Sequence, residues 1–394
     1  MPKEMIVENK KVAIIGGGPG GLTLARLLQL KGVSVTVYER DVTKEARVQG
    51  ATLDLHFESG LKALEAAGLT EEFKANYRPG ADKGRIVDKQ ATIVYDEHTD
   101  EPSELVTDDF GQEWFRPEID RGPLRNLLLA SLQPGTVVWD AQLVSLSPLG
   151  DGWELVFKNG TIAVADIIVG ADGANSKIRP LVTPIKPFYS GTTIMQGNVD
   201  NAEVAAPHIY QLLKGGKLYA YDGANYIHVS SKGDGSIDFY VSSLKDEHWR
   251  QASGIDFSDR EQVVDWFKRE FAGWDSIWFE LVEKVHLPLL IRPQYCVPFD
   301  QCWDAHSSVT LLGDAAHIMP PSGEGVNLAM LDALELSECL TSGAFQDRQT
   351  AIAAYEKPML VRAAQEAQHS LEMAAWMHAE GALEKMVQMF GGIS

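Results

Sequence analysis

Residues 11–38 read KVAIIGGGPGGLTLARLLQLKGVSVTVY. Lys11–Ile15 is a short apolar strand, Gly16–Gly21 a glycine turn, Leu22–Leu30 an amphipathic helix and Val33–Tyr38 a second strand. A strand–helix–strand unit of this kind builds a parallel sheet. The turn fits GxGxxG at Gly16, Gly18 and Gly21, between a strand and a helix as the motif requires. Gly16 permits the tight turn. Gly18 lets the backbone approach a pyrophosphate, and Gly21 lets helix and strand pack closely. The phosphates then meet free N–H groups at the helix N-terminus. Glu39 ends the second strand, where a carboxylate accepts hydrogen bonds from a ribose and disfavours a 2′-phosphate. The turn alone does not separate FAD from NAD.

The rest of the chain narrows the class. With 394 residues it can bury a large core and form two domains. Lys and Arg number 35 against 55 Asp and Glu, a formal charge of −20, which excludes nonspecific nucleic-acid binding. Cys296, Cys302 and Cys339 form no CxxC pair, so a reducing compartment and no structural metal are expected. The polar start lacks the pattern of a signal peptide, and no apolar run reaches the length of a membrane span. The expectation is a soluble cytoplasmic protein, a monomer, with a small-molecule partner and neither nucleic acid nor membrane.

Glu58–Ala67 predicts a helix, and Pro117–Leu132 an extended stretch that becomes one. Thr136–Trp139, Leu143–Leu146 and Trp153–Lys158 read as a meander, and Ala165–Val169 as a buried strand. From Tyr189 to Val285 short alternating segments, Lys217–Tyr221, Tyr226–Val229 and Ile237–Ser242 among them, suggest an antiparallel sheet. The α/β texture returns at Val309. Residues from Thr350 to Phe390 are helical, with Pro358 marking a kink or break. The predicted fold is α/β: a Rossmann-like dinucleotide domain interrupted by an antiparallel-sheet substrate domain, with a C-terminal helix. Its divisions are 1–75 with 105–185 and 290–345, then 76–104 with 186–289, and finally 346–394.

Two later segments carry a resemblance. Gly170-Ala171-Asp172-Gly173 follows a buried strand and resembles the DG motif of single-component (class A) flavin hydroxylases. Gly313-Asp314-Ala315-Ala316-His317, with Pro320, Pro321, Gly323, Gly325 and Asn327, resembles their GD motif. With the glycine turn they stand in the order of the p-hydroxybenzoate-hydroxylase-like fold. The resemblance implies bound FAD, with Asp172 and Asp314 at the cofactor and Asp314 on its ribityl chain. Pro321, Gly325 and Asn327 would lie beside the flavin, where the N–H groups of a helix N-terminus stabilise charge on the reduced ring. His317 is given no catalytic role.

The segments around Glu39-Arg40, KEARVQGATLDLH, RPEIDRGPLRNLLL and GDAAHIMPP are similar to the tetracycline-inactivating flavin monooxygenases of the TetX type. That resemblance places Arg40 with the cofactor, Arg47 near NADPH, and Asp54 and Arg121 on FAD. Arg125, one helical turn on, either assists or lies at the surface. Gln196 matches a polar substrate contact of that group. Lys217 stands in place of an arginine, His228 of an aromatic ring, Asp238 of a histidine and Tyr240 of a small residue, so the tetracycline side transfers poorly. Gln196, Lys217, His228 and Asp238 are candidate pocket-wall residues. Trp376 joins them from a helical stripe with His369 and Met373.

The implied chemistry is hydroxylation of an electron-rich aromatic or enol through a flavin C4a-hydroperoxide, using O2 and NAD(P)H, with NADPH favoured. No second GxGxxG is present, so the nicotinamide would visit transiently. No side chain is assigned as catalytic, because the cofactor carries the hard step. A tetracycline competes as substrate with an unrelated aromatic or polyketide metabolite. A flavin reductase of the geranylgeranyl-reductase kind, or a non-catalytic binding module, could share the fold.

Overall fold

The computed structural model describes residues 5–46, 50, 52–98, 109–223 and 225–391. In chain order the strands are β1 (Lys11–Ile15), β2 (Ser34–Tyr38), β3 (Thr52–Asp54), β4 (Gly84–Asp88), β5 (Ile93–Asp96), β6 (Glu118–Asp120) and β7 (Val137–Val138). Then come β8 (Leu143–Leu149), β9 (Gly152–Phe157), β10 (Ile162–Ala165), β11 (Ile167–Gly170) and β12 (Phe188–Val199). The last are β13 (Lys217–Asp222), β14 (Asn225–Ser231), β15 (Ile237–Leu244), β16 (Leu290–Cys296) and β17 (Val309–Leu311).

A parallel sheet runs in the order β17-β11-β1-β2-β7, its central strands apolar on both faces. Val12, Ile14, Ile167, Ile168, Val169 and Leu311 are essentially inaccessible, as expected for a sheet covered on both sides. The Pro19–Leu30 and Gly325–Thr341 helices cross closely: a Cβ on Gly20 would sit 2.8 Å from the Ala329 carbonyl oxygen. The β8–β10 meander flanks this sheet.

The second large sheet runs β16-β12-β15-β14-β13-β4-β5. Alternation sorts its side chains. Leu218, Ala220, Ile227, Val229, Phe239 and Val241 form the back face, packed on helices Pro207–Leu213, Arg260–Glu270 and Glu280–Glu283. These helices lie where sequence texture suggested sheet alone. The front face presents two polar rows in register. One is Gln196, Tyr240, His228, Tyr219; the next is Asn198, Asp238, Ser230, Lys217. β16 pairs with β12, so this sheet extends to Cys296, past the boundary drawn at 289.

The small β3–β6 ribbon lies between the two sheets, with Asp54 opposite Glu118. The Arg348–Met377 helix continues through Pro358, so of the expected kink or break the break is not found. It is anchored to the parallel sheet, since Tyr355 donates to the Leu311 carbonyl at 2.8 Å and Thr310 to Glu356 at 2.7 Å. The Ala382–Phe390 helix then reaches the other domain, placing Phe390 against Tyr219 and Tyr95.

Candidate active site

The glycine turn separates packing from ligand space. Gly16 has φ +113°, and a Cβ there would meet the Ala171 carbonyl oxygen at 2.2 Å. A Cβ on Gly21 would meet the Gly16 oxygen at 2.2 Å, so both glycines serve the fold itself. Gly18 differs: no atom lies within 4 Å of where its Cβ would be. It is the N-cap of the Pro19–Leu30 helix, which has no side-chain cap. Bare N–H groups beside open space suit an anion. Glu39 is buried at the end of β2 and accepts from Gly17 N at 2.7 Å and Asp41 N at 3.0 Å. Arg40 is exposed beside it. Arg125 is not at the surface. It is buried, donating to the Gly17 and Lys44 carbonyls and to Asp41, because its guanidinium clamps the turn to the loop after β2.

The other motifs converge on the same edge of the parallel sheet. Asp172 Oδ2 accepts from Lys177 N at 2.6 Å, while its buried Oδ1 has no protein partner. Burial pushes this carboxyl above its ordinary range. Gly313 (φ +59°) turns the chain out of β17, and Asp314 opens the Asp314–His317 helix with its side chain exposed. Buried Asp332 fixes that turn: it accepts from Gly313 N at 2.9 Å, His317 Nε2 at 2.6 Å and Arg362 at 2.9 Å. Burial opposes charge on His317, yet Asp332 raises its pKa above the ordinary value, so this contact favours the imidazolium in a structural role. Arg179 supports the turn from beneath, donating to the Ala315 and Ala316 carbonyls. Asp332, Arg362 and Arg179 were not singled out by sequence, where each resembles an ordinary helix charge.

Pro321 and Gly325 are exposed on the following turn, and the Gly325–Thr341 helix also lacks a side-chain cap. The Asn327 side chain is fully buried and spent on protein: it accepts from His56 N at 2.9 Å and donates to the Asp54 carbonyl at 3.0 Å. Only its backbone N–H is left for a flavin. Arg121 begins its helix half-buried beside Gly50. Arg47 lies outside the described residues.

A chain of buried charge links the two domains. Lys217 on β13 pairs with Glu118 on β6. Burial works against the ammonium, but Tyr219, Glu118 and Asp54 outweigh it and hold its pKa above the usual lysine range. Asp54, which burial alone would raise, is brought down to about 2 by His56 and Lys217. His56 Nε2 lies 2.9 Å from Asp54 and Nδ1 3.2 Å from Glu324 in the PPSGEG turn. Burial disfavours the imidazolium, yet these two carboxylates lift His56 to about 9.

A pH dependence follows. The folded pKa of His56 lies above its unfolded value, so its stabilisation is complete below about pH 6.5 and is lost as pH rises through about 9. At most it is on the order of 3 kcal/mol. Thermal unfolding of His56→Gln should lack the decline between those limits that the parent shows; an identical pH slope in both would contradict the bridge.

The front face beyond Lys217 holds unpaired acceptors. Gln196 Nε2 donates to Asp238 Oδ2 at 3.0 Å, and the buried Gln196 Oε1 and Asp238 Oδ1 have no partners among the described residues. Burial raises Asp238 to about 6. His228 Nε2 meets Ser230 at 2.8 Å, and burial together with Lys217 lowers the ring to about 3, so it is neutral. Trp376 packs in the aromatic cluster of Tyr219, Tyr221, Tyr226 and Phe390, with Lys385 Nζ 4.7 Å from its ring centre. His369, on the same helix, is exposed. Among the described residues no His, Cys, Asp and Glu cluster could hold a metal.

An open cradle at Gly18, an uncapped helix, a partnerless Asp172 oxygen and an outward Asp314 together fit a flavin dinucleotide. These features define an FAD-binding α/β protein with an added antiparallel sheet. Residues 9–370 match the family described as FAD binding domain, and the chain belongs to that family. Among its relatives is the 3-amino-4-hydroxybenzoate 2-monooxygenase PtmB3 of Streptomyces platensis. It is 29% identical, over 93% of this chain and 88% of that protein. The fold is that of FAD monooxygenases. HpxO of Klebsiella pneumoniae, solved with FAD and uric acid, superposes with a TM-score of 0.75 at 20% identity, covering 98% of this chain and 93% of HpxO. The tetracycline destructase Tet(55) gives 0.72 at 18% identity, covering 98% and 95%. The chain is thus a member of the FAD-dependent monooxygenase family with the p-hydroxybenzoate-hydroxylase-like fold. Among the described residues no helix is long and apolar enough to cross a membrane.

Proposed function

We propose that the chain uses NAD(P)H, with NADPH favoured, and O2 to hydroxylate an electron-rich aromatic or enolic small molecule. What supports this reading is the polar front face with its buried acceptors, on a sheet tied through Lys217, Glu118, Asp54 and His56 to Glu324 in the turn expected beside FAD. Bound FAD supplies electron transfer from the nicotinamide and activation of oxygen. The protein's part is position, dryness and electrostatics. The N–H groups next to Gly18 hold the phosphates, Glu39 the ribose, and Asp172, Asp314 and Arg121 the stretch towards the ring. The uncapped N-terminus at Gly325 favours negative charge on the ring. Gln196, Asp238 and His228 would then orient the substrate. The cytoplasm and a monomeric state remain part of this reading.

Tetracyclines are one substrate class within it, supported by the shared fold with Tet(55). An unrelated phenol or enol is favoured, because Lys217 is held by Glu118 and cannot stand in for a pocket arginine. The test is incubation with NADPH and 18O2 against tetracycline and a set of neutral phenols, read by mass. Gain of one labelled oxygen, coupled to NADPH use, is expected for a phenol or enol. Reduction of an alkene without oxygen gain would contradict it.

Asp314→Ala should lower FAD content severalfold while leaving the fold intact, since this side chain accepts no hydrogen bond from the described residues. Full flavin content after gel filtration would remove Asp314 from the cofactor site.

A further inference from the structure

Resting on the monooxygenase reading, we propose that Asp238 sets substrate choice: it takes a hydrogen bond from a neutral phenol, aminophenol or enol and turns away carboxylated aromatics. Asp238 is inaccessible in the folded chain; Gln196 and Tyr240 hydrogen-bond its carboxylate, and its Oδ1 has no partner among the described residues. The adjacent Gln196 amide has only one favourable orientation. Its NH2 must face the Asp238 carboxylate, at 3.0 Å, which turns Oε1 away. That oxygen too is buried and partnerless. Two neighbouring acceptors without donors are costly in a protein interior, so a ligand bringing two adjacent O–H or N–H groups fits them. A catechol, an ortho-aminophenol or an enolised dicarbonyl has that pattern.

The surrounding charges point the same way. Lys217 is held by Glu118, and Arg78 is 3.2 Å from Asp120. Lys232 lies 3.7 Å from Asp234. His228 is neutral, and Tyr240 approaches Gln196 with its hydroxyl at 3.3 Å. Arg121 stands beside Gly50 on the flavin side. Arg292 is exposed on the edge strand opposite Ile194, four residues along β12 from Asn198. That separation is roughly 13 Å. An anionic ring substituent at Asp238 would therefore face a carboxylate; Lys217, Arg78 and Lys232 each stand beside an acid of their own, and Arg121, whose charge reaches Asp238, is the cation assigned above to FAD.

The test uses the FAD-loaded chain and the change in flavin absorbance on binding. Catechol and 2-aminophenol are compared with 2,3-dihydroxybenzoate and 3-amino-4-hydroxybenzoate. The neutral probes should bind about tenfold or more tighter. Asp238→Asn should bring the pairs to within about threefold, whereas Asp238→Glu keeps the preference. Gln196→Met should weaken catechol towards phenol. That variant serves if the Asn variant loses its flavin. Carboxylated probes binding as tightly as neutral ones, an unchanged ratio in Asp238→Asn, or no response to any probe would overturn the proposal. Reduction of the flavin by NAD(P)H without any probe reports separately on the monooxygenase reading.

Discussion

Gly18→Val should give a protein that folds as well as its parent and carries almost no flavin. The space that a side chain would enter there is open: no atom of the described residues lies within 4 Å of the Cβ position. The residue is extended, with φ −80° and ψ 176°, which valine adopts without strain. The new side chain would instead stand where a pyrophosphate approaches the helix N-terminus. Gly16→Ala is the control with the opposite outcome. Its Cβ would collide with the Ala171 carbonyl oxygen at 2.2 Å, at φ +113°, so the fold itself should suffer. Melting temperature and flavin-to-protein ratio for the pair separate the two roles. A Gly18→Val protein with full flavin content would mean that the turn does not hold the cofactor.

The second large effect is on stability. Lys217→Ala should destabilise the chain by about 3–5 kcal/mol, since it leaves a buried carboxylate without its counter-charge. Glu118 is 1% exposed, and Asp54 stands opposite it in the β3–β6 ribbon. Truncation therefore leaves two acids facing each other at the junction of the two sheets. Adding Glu118→Gln should recover most of the loss, because the remaining polar group is neutral. Denaturant unfolding of the single and double variants measures both. A Lys217→Ala protein of parental stability would show that the pair contributes nothing to joining the domains.

The features legible in sequence are those set by local backbone geometry. Gly16 and Gly21 are forced by contacts within the same strand–turn–helix unit, so the motif declares itself. The alternation of Lys217–Tyr221 and Ile237–Ser242 likewise reports which residues share a sheet face. Features built from distant partners were not legible. Lys217 and Glu118 are far apart in sequence, so Lys217 reads as a pocket-wall cation and Glu118 is given no role until the ribbon brings them together. Arg125 was assigned no firm place, yet it is buried against Gly17 and Asp41. His56 and Glu324 meet only because Asn327 ties the segment after β3 to the PPSGEG turn. The helices at 207–213 and 260–270 are short and polar on one side, so the sheet pattern around them dominated.

Flavin-dependent oxygen chemistry is the central claim, and one measurement reaches it without knowing the substrate. Purified protein is loaded with FAD, mixed with NADPH or NADH in the absence of oxygen, and then exposed to air while its visible absorbance is followed. The account predicts a yellow protein that bleaches with one of the two nicotinamides and regains its colour promptly in air. A colourless protein that takes up no FAD, or a reduced flavin that persists in air, would contradict it.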